Sequence, residues 1–462
     1  MQATASDFRG LFGDRRIVFQ AILGSYCAGL APLCPIEVVA CADWGREFAH
    51  FGDGIRFLSR ERKTSRRLRT HDYDIEAILE SVRDELLRLF LGDPSGRWIM
   101  VCPYASPALD AFGTVTGYPV FTHPVALAEW LNDKSNFFRG LDELGLPRLP
   151  GRWVRLAEAR YSDLASELGS RFIAQESRGS GGSGTVWISS ITDFATADER
   201  FGDVLIWAAP DAGPLSLNIN AIALSRSAVA GYPSVQLAGI PELGAGPGAY
   251  AGNDYTATAT LPSDVVRDVR EQTERIGEWL GSLGYRGLYG LDFVVDMDTS
   301  RCFAVDLNPR WQGSTALATQ GESLEGRIPL AAAELARRIG LLGEPEVASL
   351  REEFFKPVRG SQMILRQNRA EWLEIAAGVP AGVYSVRDGL RHLRPGATLG
   401  DCGPGEVLVT GGVPERGTVV ESGAYMARIC NQQDALDTER MELLPWARLA
   451  VSRLYGVLAP ER

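Results

Sequence analysis

GYRGLYGLDFVVDMDTSRCFAVDLNPRWQGST, residues 284 to 315, reads as two strands joined by a turn. The first strand is Leu288–Asp296, an apolar run with Asp292 set into it. Residues 297–301 carry the Asp, Thr and Ser of a turn. The second strand is Cys302–Leu307, with Asp306 near its end. Apolar strands bounded by turn residues are buried ones, and a buried carboxylate is costly unless a cation meets it. Two aspartates on neighbouring antiparallel strands can face each other. Asn308 lies two residues after Asp306, on the same strand face. Three oxygen ligands at one spot suit Mg²⁺, which takes its remaining ligands from water and substrate phosphates. Arg310 follows as a planar cation fitted to phosphate or carboxylate. The competing reading is an ordinary hairpin with solvated acids, but surface acids rarely sit in strands this apolar.

The run Gly290-x-Asp292-Phe293, followed by Asp306-x-Asn308-Pro309-Arg310-x-x-Gly313-Ser314, resembles the metal-binding signature of the ATP-grasp superfamily. The resemblance implies an enzyme that uses ATP and Mg²⁺ to activate a carboxylate as an acyl phosphate. The acyl group then passes to an amine, a thiol or a similar nucleophile, with release of ADP and phosphate. It implies Asp292, Asp306 and Asn308 as metal ligands, and Arg310 and Asn308 as catalytic residues. The second acid is usually glutamate in that family; here it is Asp306.

Working upstream, RFIAQESRGSGGSGTVWIS (171–189) gives strand-like Arg171–Glu176 and Thr185–Ser189 around a glycine-rich turn, 177–184. Such a turn lets backbone N–H groups approach phosphate oxygens. It lacks the terminal Lys-Ser/Thr of a P-loop. It resembles the hairpin that closes over ATP in ATP-grasp enzymes, which implies nucleotide contacts from Gln175, Arg178, Gly179, Ser180, Gly181, Gly182, Ser183 and Gly184. Gln175 stands where many relatives carry lysine. Leu127–Leu144 reads as one helix, ended by Gly145-Leu146-Pro147. Asp133-Lys134 with Phe137 within it resembles the segment that opens the nucleotide domain, which implies a phosphate contact for Lys134. Val204–Ala208 then corresponds to the hinge strand, with Trp207 either over the base or in the core.

Ser216–Ala223 alternates, putting Asn218 and Asn220 on one face. Residues 233–237 and Tyr250–Asp254 resemble segments of amino-acid-activating ATP-grasp ligases, so Asn220, Gln236 and Asn253, with Ser314 after the signature, are substrate-side candidates. Pro262–Leu283 is an amphipathic helix that Ser263 can cap and Gly284 ends. Leu324–Ile339 reads as another helix.

At the amino end, Arg16–Phe19, Pro35–Cys41, Trp98–Cys102 and Tyr118–Phe121 read as strands and Ile75–Leu91 as a helix, an open α/β sheet. Ligands of such sheets bind beyond the strands' carboxyl ends, which makes Tyr104, Ser106 and Asp110, in a loop over 103–110, minor candidates. From Phe354 short strands alternate with Gly/Pro turns: Gly382–Tyr384, Glu406–Val409, Thr418–Val420 and Ala424–Cys430. A helix at Glu442–Leu458 closes the chain. The expected class is α/β and α+β, an ATP-grasp fold between an N-terminal open α/β domain and a C-terminal α+β domain. The expected boundaries are 1–125, 126–345 and 346–462.

The 462 residues carry 47 basic and 58 acidic side chains, a net charge of −11, which argues against general nucleic-acid affinity. No 18-residue apolar run indicates a membrane span, and the first residues do not read as a signal peptide. Seven cysteines without a C-x-x-C pair fit a reduced cytoplasm. His50, His71, His123 and His392 form no zinc spacing.

Residues 60–69, RERKTSRRLR, are a basic island. It is either a solvated surface or a docking patch for an acidic partner, such as a carrier protein with a phosphopantetheine arm, or for a phosphorylated small substrate. The expected reaction joins a small-molecule carboxylate, an amino acid or a peptide, to an amine. Rivals are a biotin-dependent carboxylase, a thioester-forming ligase acting on a carrier protein, and an ATP-binding relative without turnover. A homodimer and a monomer are both open.

Overall fold

The computed structural model describes residues 5–43, 54–69, 75–179 and 184–459. Ser180, Gly181, Gly182 and Ser183, and also His50 and His71, lie outside them.

The amino-terminal part is a five-stranded parallel sheet in the order Arg56–Ser59, Ile36–Cys41, Arg16–Gln20, Trp98–Val101, Val120–Phe121. Its central strands are apolar on both faces because helices cover both sides. Ile75–Leu91 is the helix read from its periodicity, burying Ile75, Ile78, Leu79, Val82, Leu86 and Phe90.

Residues 152–210 hold a four-stranded antiparallel sheet, ordered Arg152–Val154, Ile206–Pro210, Phe172–Glu176, Thr185–Ile188. It has a small core of its own, including Leu156, Leu164, Phe172, Ala197 and Phe201. The largest sheet has eleven strands, one of which, Ala228–Ala230, lies off the main path and pairs with Ser216–Ala223. It starts at the hairpin, Arg301–Asn308 and Gly287–Asp296, and runs through Ser216–Ala223, Ser234–Ala238 and Tyr250–Asp254. It then crosses directly to Ser361–Arg366, Tyr425–Asn431, Glu406–Thr410, Gly382–Ser385 and Arg391–Arg394. The carboxyl-terminal strands therefore extend the sheet that carries the hairpin. Residues 361–366 and 391–394 were not anticipated as strands.

Several expected boundaries move, each for a local reason. The single helix expected over 127–144 is two, Val125–Leu131 and Lys134–Leu144. Asp133 caps the second by accepting from Ser135 N at 2.9 Å. The helix expected at 324–339 is Thr315–Leu324 and Leu330–Arg338, broken by Gly326 at φ +70° and Pro329. The closing helix starts at Pro445, since proline suits a first helical turn. Residues 442–443 pair instead with Leu436–Asp437. Helix Ser263–Ser282 has Pro262 at its cap position, and Ser263 makes no capping bond. The loop expected over 103–110 turns helical at Pro107. Ser106 is its cap, and Asp110 is on the helix and exposed.

The basic island is partly structural. Arg60–Thr64 is a short helix, and Arg66–Arg67 pairs in parallel with Val419–Val420. Arg67 is buried, holding Glu61 at 2.7 and 2.8 Å. Lys63 pairs with Glu85 and Arg69 with Glu421. All seven cysteines are buried thiols outside any disulfide. Among the described residues no helix is long and apolar enough to cross a membrane.

Candidate active site

The hairpin places its acids as its alternation requires. Asp292 stands opposite Asp306 in the ladder, and Asn308 opposite Gly290. A bulge at Val305 lies between the Asp292–Asp306 and Phe293–Ala304 pairs. Asn308 Nδ2 donates to Asp306 Oδ2 at 3.3 Å. Burial first, and the Asp306 charge second, raise the Asp292 carboxyl to about 7. A cation between the acids would relieve both causes. Two carboxylates and an amide oxygen leave open positions, a donor set that fits a divalent ion completed by phosphate oxygens. Among the described residues no group of three or more His, Cys, Asp or Glu side chains is placed to hold a metal.

Lys134 opens its helix just behind the Asp133 cap, and its Nζ reaches Asp306 Oδ1 at 2.7 Å. Its side chain is 5% exposed, so this cation is committed to the site. Its backbone N–H donates to Ser177 O at 2.9 Å, tying the helix start to the glycine-rich turn. Arg310 lies with its guanidinium carbon 5.9 Å from the Tyr104 ring centroid. Of the three loop candidates, only Tyr104 comes to this place.

Behind the acids lies a buried amide and hydroxyl network. Asn218 and Gln236 donate to Asp292 Oδ1 at 2.6 and 2.8 Å. Asn218 also bonds Gln312 and Ser314. Ser314 accepts from Asn220 at 2.9 Å, and Asn220 accepts from Thr315 at 2.7 Å. Asn253 donates to Ser234 at 3.0 Å and accepts from Tyr250 at 2.5 Å. Gln236 therefore touches the acid pair directly, whereas Asn220, Asn253 and Ser314 stand one or more links behind it. Asn218 and Gln312 are members that the candidate set omits. The alternation of 216–223 already placed Asn218 on the Asn220 face. Gln312 has no signal in the sequence beyond its closeness to Arg310. It fits only because residue 290 is glycine, where a Cβ would overlap its amide.

On the four-stranded sheet, Gln175 faces Trp207 in the ladder and donates to Thr185 Oγ1 at 3.0 Å. Arg178 is exposed and pairs with Asp133 at 3.5 Å. Gly179 and Gly184 face each other across the base of the turn, where a Cβ on Gly179 would stand 3.4 Å from Gly184 Cα. Trp207 is buried, its ring centroid 5.0 Å from Phe138 and 5.4 Å from Trp153, with Arg148 over it at 5.0 Å. It belongs to the core, the second of the two roles expected for it. Trp187, two residues into the outgoing strand, packs on Gly248, where φ is +65° and a Cβ would overlap the indole.

No protein-family model matches the chain, and neither does any curated protein sequence. Solved structures do resemble it. A carboxyaminoimidazole ribonucleotide synthase from Aspergillus clavatus, crystallised with ATP, aligns at TM-score 0.51 and 12% identity, over 96% of this chain and 97% of that one. The biotin carboxylase domain of a Hydrogenobacter thermophilus 2-oxoglutarate carboxylase aligns at 0.56 and 13%, over 90% and 85%. An L-amino acid ligase from Bacillus licheniformis aligns at 0.50 and 12%, over 90% and 92%. Full-length agreement at such low identity is agreement of fold, and with the hairpin and its flanking sheets in place, the chain has the ATP-grasp fold.

Proposed function

We propose that the protein is an ATP- and Mg²⁺-dependent ligase that joins a carboxylate, an amino acid or a peptide, to an amine through an acyl phosphate. ADP and phosphate leave. The observation that carries this reading is the register pair Asp292–Asp306, with Lys134 bound to Asp306 and Arg310 just beyond. Asp292, Asp306 and Asn308 would hold Mg²⁺, which when bound neutralises the phosphates of ATP. The substrate carboxylate attacks the γ-phosphorus and the bond to the β-phosphate oxygen breaks. The amine then adds to the acyl carbon, gives up a proton, and phosphate departs.

The chain's own contribution is positioning and charge. Arg310 orients the carboxylate and stabilises negative charge on the transferring group. Lys134 follows the phosphates. Asn218 and Gln236 fix the Asp292 carboxylate by donating to it. The glycine-rich turn excludes water from the acyl phosphate.

The test is to incubate the enzyme with ATP, Mg²⁺ and pairs of amino acids, and to resolve nucleotides and condensed products by chromatography. ADP, phosphate and a condensed product are expected. AMP and pyrophosphate would overturn the mechanism. Hydroxylamine in place of the amine should trap the acyl phosphate as a hydroxamate.

A further inference from the structure

The amino ends of the parallel strands, opposite the end where Tyr104 meets Arg310, border a cavity of about 550 Å³. Arg16, Arg56 and Trp98 each open a strand of that sheet, and Arg97 precedes Trp98. Arg88 is in the last turn of helix Ile75–Leu91. All five line the cavity, together with the carboxylates of Glu85 and Asp93. Four arginines around one hollow stand out in a chain of net charge −11. The volume is in the range of small-ligand sites, about 300–1,000 Å³.

The two carboxylates of the wall are already engaged. Arg16 Nη1 donates to Asp93 Oδ2 at 3.1 Å and Arg16 Nε to Glu37 Oε2 at 2.9 Å, with the guanidinium carbon 4.0 Å from the Trp98 ring centroid. Lys63 Nζ pairs with Glu85 Oε1 at 2.5 Å and donates to Ser81 O at 2.6 Å. The basic island therefore reaches the rim of the cavity through Lys63. Arg56, Arg88 and Arg97 remain, all exposed. Among the described residues none of the three makes an ion pair, and Arg88 Nε donates to the backbone oxygen of Asp84 at 3.2 Å. With Glu37 included, five cations stand against three carboxylates, so the cavity keeps an excess of positive charge.

We propose that this cavity binds a small oligophosphate anion, a chain of two or three phosphates, on the guanidiniums of Arg56, Arg88 and Arg97. A guanidinium meets phosphate oxygens two at a time, so three around one hollow suit a chain of phosphates better than a lone carboxylate. A concave site of this size favours a small anion over an acidic protein, which needs a broader face. In open parallel sheets the reacting ligands gather at the carboxyl ends of the strands. Trp98–Val101, four residues and about 13 Å long, lies between that end and the cavity. The ligand here is therefore separate from the nucleotide under the glycine-rich turn, and its binding does not depend on the ligase reading. The phosphate chain can be inorganic or part of a nucleotide.

The test is calorimetric titration of inorganic tripolyphosphate into the full chain at low salt, with EDTA present so that the metal-dependent nucleotide site stays empty. Inorganic phosphate, CTP and poly-L-glutamate are titrated beside it. Two variants accompany the wild type. One is Arg56→Ser with Arg88→Ser and Arg97→Ser. The other removes the same charge elsewhere, by Arg226→Ser with Arg391→Ser and Arg416→Ser. All six side chains are exposed, so both variants should fold. Tripolyphosphate should bind the wild type and the control variant alike, and the cavity variant at least ~10-fold more weakly, the factor for losing one charged hydrogen bond. Inorganic phosphate should bind the wild type at least ~10-fold more weakly than tripolyphosphate does. The same loss for CTP as for tripolyphosphate would assign the phosphate chain alone, and a larger loss would add the nucleoside to the ligand. Equal binding to the wild type and the cavity variant, equal weakening in both variants, or no binding at all would overturn the site. Poly-L-glutamate that binds more tightly than tripolyphosphate, and loses that affinity in the cavity variant, would overturn the small anion in favour of an acidic protein.

Discussion

Asp306 answers to two neighbours at once. Lys134 Nζ holds it at 2.7 Å, while the carboxyl of Asp292, opposite in the ladder, is pushed up by burial first and by the Asp306 charge second. Asp306→Asn removes the attraction and the repulsion together, so the fold should survive. Turnover should fall by about 10²–10³, the range for losing a principal transition-state charge contact. ADP release and a thermal melt on one preparation check both halves; full activity in a folded variant would make the hairpin acids structural. Asp306→Glu should retain part of the activity. These acids were legible in the sequence because a carboxylate inside an apolar strand is conspicuous. Asn218 and Gln312 were less so, since an amide in a strand or a loop is unremarkable until its partner is known.

Elements were readable where pattern and burial agree. Ile75–Leu91 and Ser216–Ala223 have the bounds that periodicity gives. Misreadings fall where one residue outweighs the pattern, as with Asp133, Pro329 and Pro445. The Asp133 cap positions the reactive end of its helix, so Asp133→Ala should cost ~1 kcal/mol of stability. It should also raise the KM for ATP more than it lowers kcat, through a looser Lys134; steady-state kinetics and a urea melt check this.

The helix Thr315–Leu324 offers a pH test. Burial raises its Glu322 carboxyl to about 8, against the attraction of Arg327 and a bond from Leu330 N at 3.1 Å. A folded-state value above the unfolded one means that the native protein holds the extra proton. The stability this gives is fully present below about pH 4.3 and is lost as pH rises to about 8. Glu322→Gln keeps an acceptor for Leu330 and never charges. Its Tm relative to the wild type should therefore climb between those limits and level off above; a parallel pair of curves would refute the assignment.

At the scale of the whole molecule, the basic island joins the two ends of the chain. Arg67 holds Glu61 with two bonds and donates to Tyr425 O at 3.2 Å, beside the short ladder to Val419–Val420. Arg67→Ala leaves Glu61 buried and unpaired and should cost ~3–5 kcal/mol. Lys63→Ala, whose pair with Glu85 is partly exposed, should cost under ~1 kcal/mol. Urea midpoints for the two variants distinguish a structural island from a solvated one, on which both losses would be small. Run length and charge exposed the island in the sequence. They could not show that one of its arginines faces inward, because the partner strand lies some 350 residues away.

The contact between Trp187 and Gly248 has a mechanical meaning. Among the described residues, 152–210 exchange no strand pairing with the eleven-stranded sheet; Trp207 and Ala209 pack the smaller sheet into the larger core, and Trp187 on Gly248 adds a second contact. The indole resting on a bare backbone then acts as a latch, and its catch is the single hydrogen that only glycine presents at 248. A methyl group there would prop the jaw ajar. On the ligase reading proposed above, nucleotide could still enter and leave, but the acyl phosphate would meet water before it met the amine, and ATP would be spent without condensed product.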